Sequence, residues 1–465
     1  MKIKKIAKII FIIIILIFCF IYFSGLGKTT LSIMKYYAPF NLGNKFKEKV
    51  NVFNNLSKIK TKKIDLEKII GDIPNNIGYI PIKLIPSKKN LIINNNIFNI
   101  KKFEISLLLI SKNQLFKTKG NSYIDYHDKK LFVVSGNGIF SYVNVDEFKK
   151  NNSKLLIIPT NIKKIIKYDD FFTNSKFGIK DILIKNNNIY ISYTNNIKKN
   201  CFNVSILVAK INTKMLRFKK FFTPADYDSV CKDYVDFNAH SSGGRIVEFK
   251  DNKLLFSTGE FLDSAKAQIS KNTLGKILEI NENGKGYKLV SKGHRNVQGL
   301  FYDKESNVIY STEHGPFGGD EININNLKND KIKNYGWPIS SYGEHYGGKS
   351  LLNRLTRYIK YPLHKSHKEY GFIEPLKYFV PSIGISEIIL LNNDFLFAKN
   401  KQILVSSLSG KSLHYLQIND QKIVKDLTIN INERIRDMIY VEGKEMIFLS
   451  LENTNENSKI GIIYN

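Results

Sequence analysis

One pattern recurs six times along this 465-residue chain: an alternating apolar stretch, a short turn of Asn, Asp, Lys, Gly or Glu, then a second alternating stretch ending near Ser or Thr. The copies fall at residues 122–135, 181–193, 245–258, 299–312, 387–399 and 436–450. Alternation of period two around a polar turn is the signature of a β-hairpin. Six hairpins spaced roughly 50 to 90 residues apart point to radial repetition, with one four-stranded blade per repeat around a central channel. That arrangement also protects the sheet edges. The expected fold is therefore all-β, a six-bladed β-propeller, with two stacked β-sandwiches as the competing arrangement. No helical periodicity of any length follows residue 23. The widest gap separates the fourth and fifth copies, and a long functional loop belongs within residues 315–386.

Composition excludes two other classes. With 43% hydrophobic and 12% aromatic residues, too much apolar surface is available for the chain to stay disordered. The net charge of +30 raises nucleic acid or an anionic membrane as a partner. However, only seven basic residues are arginine, at positions 217, 245, 295, 354, 357, 434 and 436, and the lysines are spread along the whole chain with Ile and Asn. This is a solvated lysine background, and no nucleic-acid partner is expected. An arginine kept in such a background answers a geometric demand, because only arginine offers a rigid planar fork.

Lys2, Lys4, Lys5 and Lys8 precede an unbroken apolar run over residues 9–23, the charge order that leaves the N-terminus in the cytoplasm and sends the body across the membrane. No Ala-x-Ala site follows. The expectation is an uncleaved anchor in the cytoplasmic membrane with the body in the bacterial periplasm; the alternative is a cleaved signal and secretion. Phe18 before Cys19 is too large for a lipoprotein signal, and the fragment GLGKTT lacks the earlier glycine and the preceding strand of a phosphate-binding loop. The domain reading is an anchor or signal over residues 1–27, a polar leading segment partly in the propeller over residues 28–115, and the six-bladed domain over residues 116–465. Beyond the anchor only Cys201 and Cys231 remain. In an oxidising compartment they either pair or stand as two buried thiols.

Three dense clusters stand apart from the lysine-rich background: NAHSSGGR over residues 238–245; GHRNVQG over residues 293–299, with EHGPFGGDE over residues 313–321 and NYGWP over residues 334–338 after it; and RIRD over residues 434–437. Each lies where a strand begins or a loop turns, so in a propeller several can converge on one end of the channel.

In this order, these stretches resemble the soluble glucose/sorbosone (aldose sugar) dehydrogenases dependent on pyrroloquinoline quinone (PQQ), a family of six-bladed propellers. The resemblance is strong over residues 237–347, recoverable at residues 434–437 and faint before Cys201. It implies an oxidoreductase that oxidises an aldose-type sugar at the anomeric carbon by hydride transfer to PQQ, with Ca²⁺ assisting. PQQ carries three carboxylates, which suits Arg295, Arg434 and Arg436, with Asn296 as a neutral donor beside them. The resemblance assigns the carbonyls of Gly315 and Pro316 to a Ca²⁺ that also contacts the quinone, and His240 to the role of general base. Glu321 and Tyr335 match positions that hold a second, structural Ca²⁺ in some relatives. The partners implied are the sugar, an electron acceptor, and the membrane through the N-terminal segment.

Two departures from the family pattern bear on the cofactor. Ser409, in the run VSSLS over residues 405–409, stands where the family has a lysine that contacts PQQ, and Lys411 can substitute only if the loop differs. The family's early blade motif is not recognisable before Lys150. These departures motivate a second reading, a catalytically lapsed propeller that binds a sugar or a protein through the same face. A calcium-dependent lactone hydrolase ranks last for want of an acidic metal cluster.

Overall fold

A computed structural model describes residues 79–464, apart from residues 86–89, 94–95, 106–120, 137, 149–152, 167–177, 199–200, 232–239, 330, 347–350, 393–399 and 453–457. The expected anchor at residues 9–23 lies outside the described residues. Among the described residues no helix is long and apolar enough to cross a membrane. The chain divides into two units, Met1–Pro74 with Gly347–Thr356, and Asn75–Tyr346 with Arg357–Asn465, and the second is the propeller.

From the innermost strand outward, blade 1 is Ser122–His127, Lys130–Ser135, Phe140–Asn144 and Lys154–Ile158. Blade 2 is Ile179–Lys185, Asn188–Lys198, Cys201–Lys210 and Lys219–Phe222. Blade 3 is Gly243–Glu248, Leu254–Thr258, Lys276–Ile280 and Tyr287–Lys292. Blade 4 is Val297–Asp303, Val308–Glu313, Asp320–Asn326 and Lys377–Phe379. Blade 5 is Ile385–Leu391, Lys401–Ser407, Ser412–Asn419 and Lys422–Asn430. Blade 6 is Arg434–Val441, Met446–Glu452 and Ser458–Tyr464, completed by Asn96–Ile105 from the leading segment. Each innermost strand touches the innermost strand of the next blade, and the ring closes between Arg434–Val441 and Ser122–His127.

The hairpins anticipated from the alternating pattern are the first two strands of the six blades. Their turns show why the polar residues stand there: both central residues have positive φ at Asp128 and Lys129, at Asn186 and Asn187, and at Asp251 and Asn252. That is the requirement of a type I′ turn, which Asn and Asp tolerate best among side-chain-bearing residues. In the fifth copy the second strand lies at Lys401–Ser407, beyond the expected residues 394–399. The run KQILVSS alternates as well, and the pairing of Ile388 with Val405 selects it. A helix, Leu351–Lys360, stands in the interval where no helical period was read, and its 10 residues are too few for periodicity to stand out.

A hydrophobic cluster fills each of the six junctions between neighbouring blades. Strands between two such clusters are buried on both faces, as in Cys201–Lys210, where nine of the ten residues are buried. Closure comes from the N-terminal side. Asn96–Ile105 pairs with Ser458–Tyr464, and Tyr79–Ile85 bridges it to Lys154–Ile158 of blade 1. Cys201 and Cys231 are disulfide-bonded and face each other across paired strands.

Candidate functional site

Innermost strands all begin at one end of the propeller, and the turns from second to third strand return to that end. The sequence clusters gather there. The segment ahead of Gly243–Glu248 carries His240, which is half-buried. It turns at Ser241, whose φ is 56°. The carbonyls of Ser241 and Ser242 accept the amides of Phe261, at 3.0 Å, and Gly259, at 2.8 Å. A side chain at Gly259 would bring a Cβ within 1.8 Å of the Ser241 carbonyl, so glycine alone allows the two loops to lie this close.

The amide of Gly243 donates to Asn296 Oδ1 at 3.0 Å, joining the first cluster to the second. Gln298 Nε2 donates to the same oxygen at 3.1 Å, and Arg436 Nη1 donates to Gln298 Oε1 at 3.3 Å. Arg436 Nε and Arg434 Nη2 then share the buried carboxylate of Glu452, at 2.7 and 3.0 Å. On the other side, Asn296 Nδ2 donates to His314 Nδ1 at 3.4 Å, while His314 Nε2 donates to the Ile385 carbonyl at 2.6 Å. Burial holds His314 below the ordinary histidine value, which suits this neutral tautomer, and both Arg295 and Arg436 lie near enough to add to the effect. One continuous hydrogen-bonded network thus runs through Asn296, Arg434 and Arg436 and reaches the loop that begins at His240.

Arg295 reaches the network from the side. Its Nη1 donates to the carbonyls of His314, at 3.0 Å, and Gly315, at 2.7 Å. Its guanidinium lies against the rings of Trp337 and Tyr346, at 5.4 and 5.8 Å from their centroids. Trp337 is thus the floor under Arg295. Below Arg295, His294 is fully buried between Ser291 Oγ, 2.8 Å from Nε2, and Glu313 Oε2, 2.9 Å from Nδ1. This chain anchors the residues that precede Arg295 and His314.

Electrostatically the end is cationic. Arg434 and Arg436 share the single carboxylate of Glu452, and the Arg295 guanidinium lies on neutral carbonyls and rings, an arrangement suited to a polyanionic ligand. Gly315 and the buried Pro316 beside it carry backbone carbonyls, the neutral oxygen donors a hard cation accepts, and the Gly315 carbonyl is held here by the Arg295 guanidinium. Lys411 is exposed on the turn between the second and third strands of blade 5, at the same end, and its carbonyl accepts the amides of Ile431 and Asn432 on the approach to Arg434. Glu321 and Tyr335 are both buried one layer further out. Between them stands His367: burial alone would lower this imidazole, but the neighbouring Glu321 carboxylate raises it.

Sequence reasoning missed four participants. Glu452 pairs directly across from Arg434 in the sixth blade, and that register was the available signal. Gln298 lies inside a cluster already singled out. Arg245, the last residue of HSSGGR, has its Nη1 within 2.9 Å of Asp181, 2.7 Å of Glu387 and 2.8 Å of Asp437 at the propeller axis. His367 comes from the long insertion expected within residues 315–386, where no motif singled it out.

Fold and site together define a class: a six-bladed propeller with arginines, a histidine and glycine-rich loops at one end of its channel. Residues 148–460 match the model of the Glucose / Sorbosone dehydrogenase family, and the chain belongs to that family. It is 28% identical over 233 residues to the aldose sugar dehydrogenase YliI of Escherichia coli, covering 47% of this chain and 59% of that protein. It is likewise 28% identical over 221 residues to an uncharacterized protein of Synechocystis, covering 42% of this chain and 50% of that protein. The chain thus spans only half to three-fifths of these curated relatives. Among solved structures, the soluble aldose sugar dehydrogenase of Escherichia coli in its apo form superposes with a TM-score of 0.60 at 19% identity, over 78% of this chain and 99% of that one. A glucose dehydrogenase gives 0.59 at 20% identity, over 75% and 97%. The PQQ-bound form of aldose sugar dehydrogenase from Streptomyces coelicolor gives 0.52 at 18% identity, over 78% and 98%. These likenesses show the fold.

Proposed function

We propose that this chain oxidises an aldose-type sugar at its anomeric carbon by hydride transfer to PQQ, with Ca²⁺ assisting, in the periplasm. The observation that carries the reading is the single network linking Arg434, Glu452, Arg436, Gln298, Asn296 and the amide of Gly243. When bound, PQQ and Ca²⁺ supply a hydride-accepting carbonyl and the Lewis acid that polarises it. Arg295, Arg434 and Arg436 would hold the cofactor carboxylates through the N–H groups not engaged by Glu452, Gln298 and the carbonyls of His314 and Gly315. Asn296 is oriented for the same task by its neighbours. The carbonyls of Gly315 and Pro316 would hold the ion. His240 takes the proton of the anomeric hydroxyl, a task suited to a group whose ordinary pKa lies near neutrality.

The Cys201–Cys231 bridge supports a location outside the cytoplasm, where disulfides persist. Purified full-length chain supplied with PQQ and Ca²⁺ should reduce an electron-accepting dye with at least one of a panel of aldoses, and His240→Ala should abolish turnover while PQQ stays bound. Folded protein with no cofactor spectrum and no dye reduction would refute the proposal.

A second reading, a binding propeller without turnover, is favoured by one observation. The blade 5 turn presents Ser409 where the resemblance asks for a lysine, and Lys411 on that turn is exposed. Binding of a sugar or a protein by folded chain that takes up no PQQ and reduces no dye is its expected outcome.

A further inference from the structure

Glu321 and Tyr335 match positions that hold a structural Ca²⁺ in some relatives of the family this chain resembles. The structure places a side chain of this same protein between them. The Nδ1 of His367 donates to the Tyr335 carbonyl at 3.0 Å, and its Nε2 lies 3.3 Å from Glu321 Oε1. The other oxygen of Glu321 accepts Asn323 Nδ2 at 3.3 Å. The imidazole thus stands between both groups, hydrogen-bonded to the Tyr335 carbonyl and within ion-pair distance of Glu321 Oε1.

The ring is firmly held. His367 is 1% exposed and stacks on Tyr342, with centroids 5.4 Å apart and planes at 28°. Its amide donates to Glu374 Oε1 at 2.8 Å, and its carbonyl accepts the amides of Tyr370 and Phe372 at 3.1 and 2.9 Å. Gly336 leaves room for it, because a Cβ there would lie 3.0 Å from His367 Nδ1. A calcium ion requires six to eight oxygen ligands at about 2.3–2.6 Å, and an imidazole seated between Glu321 and Tyr335 denies it that shell.

We propose that His367 replaces the structural metal in this chain, so that the pocket of Glu321 and Tyr335 is clamped by a protein side chain and takes no calcium. The inserted segment that follows Asn326 in blade 4 thus brings its own plug. The imidazole ties the strand Asp320–Asn326 to the turn at Tyr335, the connection that an ion would make. This inference concerns the outer pocket only and does not depend on PQQ or on the carbonyls of Gly315 and Pro316.

The test uses the full chain without PQQ. Wild type, Glu321→Gln, His367→Ala and the double variant are stripped with chelator and dialysed against calcium. Bound calcium per chain is then counted by elemental analysis, and Tm is taken with and without the ion. Wild type and Glu321→Gln should hold equal calcium. His367→Ala should gain one equivalent together with a calcium-dependent rise in Tm, and the double variant should lose both. Loss of one equivalent in Glu321→Gln relative to wild type would overturn the proposal, as would a folded His367→Ala that gains no calcium. Should His367→Ala fail to fold, the comparison of Glu321→Gln with wild type decides alone. Any calcium at Gly315 and Pro316 is common to all four proteins and leaves these differences unchanged.

Discussion

Arg245 donates from Nη2 to the backbone carbonyl of Arg436 at 2.9 Å, so the guanidinium at the propeller axis fixes the strand that carries a candidate cofactor arginine. The same side chain donates from Nε to the carbonyl of Gln298 and answers Asp181, Glu387 and Asp437. Lysine cannot reproduce this fork. Arg245→Lys should lower unfolding stability by about 3 kcal/mol, as expected when a buried ionic cluster loses its geometry. It should also weaken PQQ binding. Urea denaturation and a cofactor titration measure the two effects, and unchanged values in both would contradict the role given to Arg245.

The contact of Gly259 with Ser241 gives a test of the His240 loop. In Gly259→Ala the new methyl would stand where the Ser241 carbonyl now is, so the loop must move. The expected outcome is a fall in kcat of about 100-fold or more, since small displacements of a catalytic group are costly. PQQ affinity should fall much less, because the arginines lie on other segments. A kcat equal to wild type would mean that His240 does not set the rate.

Reduction of the Cys201–Cys231 bridge opens a loop of 30 residues. Chain entropy predicts a loss of about 3 kcal/mol on reduction. Denaturant titrations with and without reductant should show this loss, and the double Cys→Ala variant should match the reduced protein.

His414 supplies a pH dependence. Buried in blade 5 beside Ser412 and Thr428, its pKa is pushed down to about 4 from an ordinary value of 6.5, chiefly by burial. The folded state resists protonation more than the unfolded state does. Its contribution is thus intact above pH 6.5 and is lost as pH falls from there toward 4, by up to about 3 kcal/mol. His414→Gln should remove this limb of the Tm against pH curve while leaving the site unaffected.

Trp337 is the only tryptophan and lies against Arg295. A quinone bound at that guanidinium should quench its fluorescence saturably. Arg295→Ala should abolish the quenching at the same PQQ concentrations, and quenching that persists undiminished would place the cofactor elsewhere.

The hairpins were legible because type I′ turns demand Asn and Asp between alternating runs, and both signals are local. The site motifs were legible because arginine is rare in this lysine background. What could not be read depends on contacts distant in sequence. Arg245 and Asp437 are 192 positions apart and meet only when the ring closes. The strand that completes blade 6 comes from the leading segment, where the pattern was opaque because it supplies the outermost strand of a sheet built largely from the C-terminus. His367 was invisible because nothing near it in sequence records that its loop folds back onto Tyr335.

The central claim is that the network of Asn296, Arg434 and Arg436 holds PQQ beside a histidine base. Its most direct test is a single-turnover experiment: protein loaded with PQQ and Ca²⁺ is mixed with aldose without oxygen or dye, and the spectrum of the bound cofactor is followed. Wild type should pass from the oxidised to the reduced spectrum with at least one aldose, while His240→Ala, equally loaded, stays oxidised. A loaded wild type that stays oxidised with every aldose, or a folded protein that takes up no PQQ, would contradict the account.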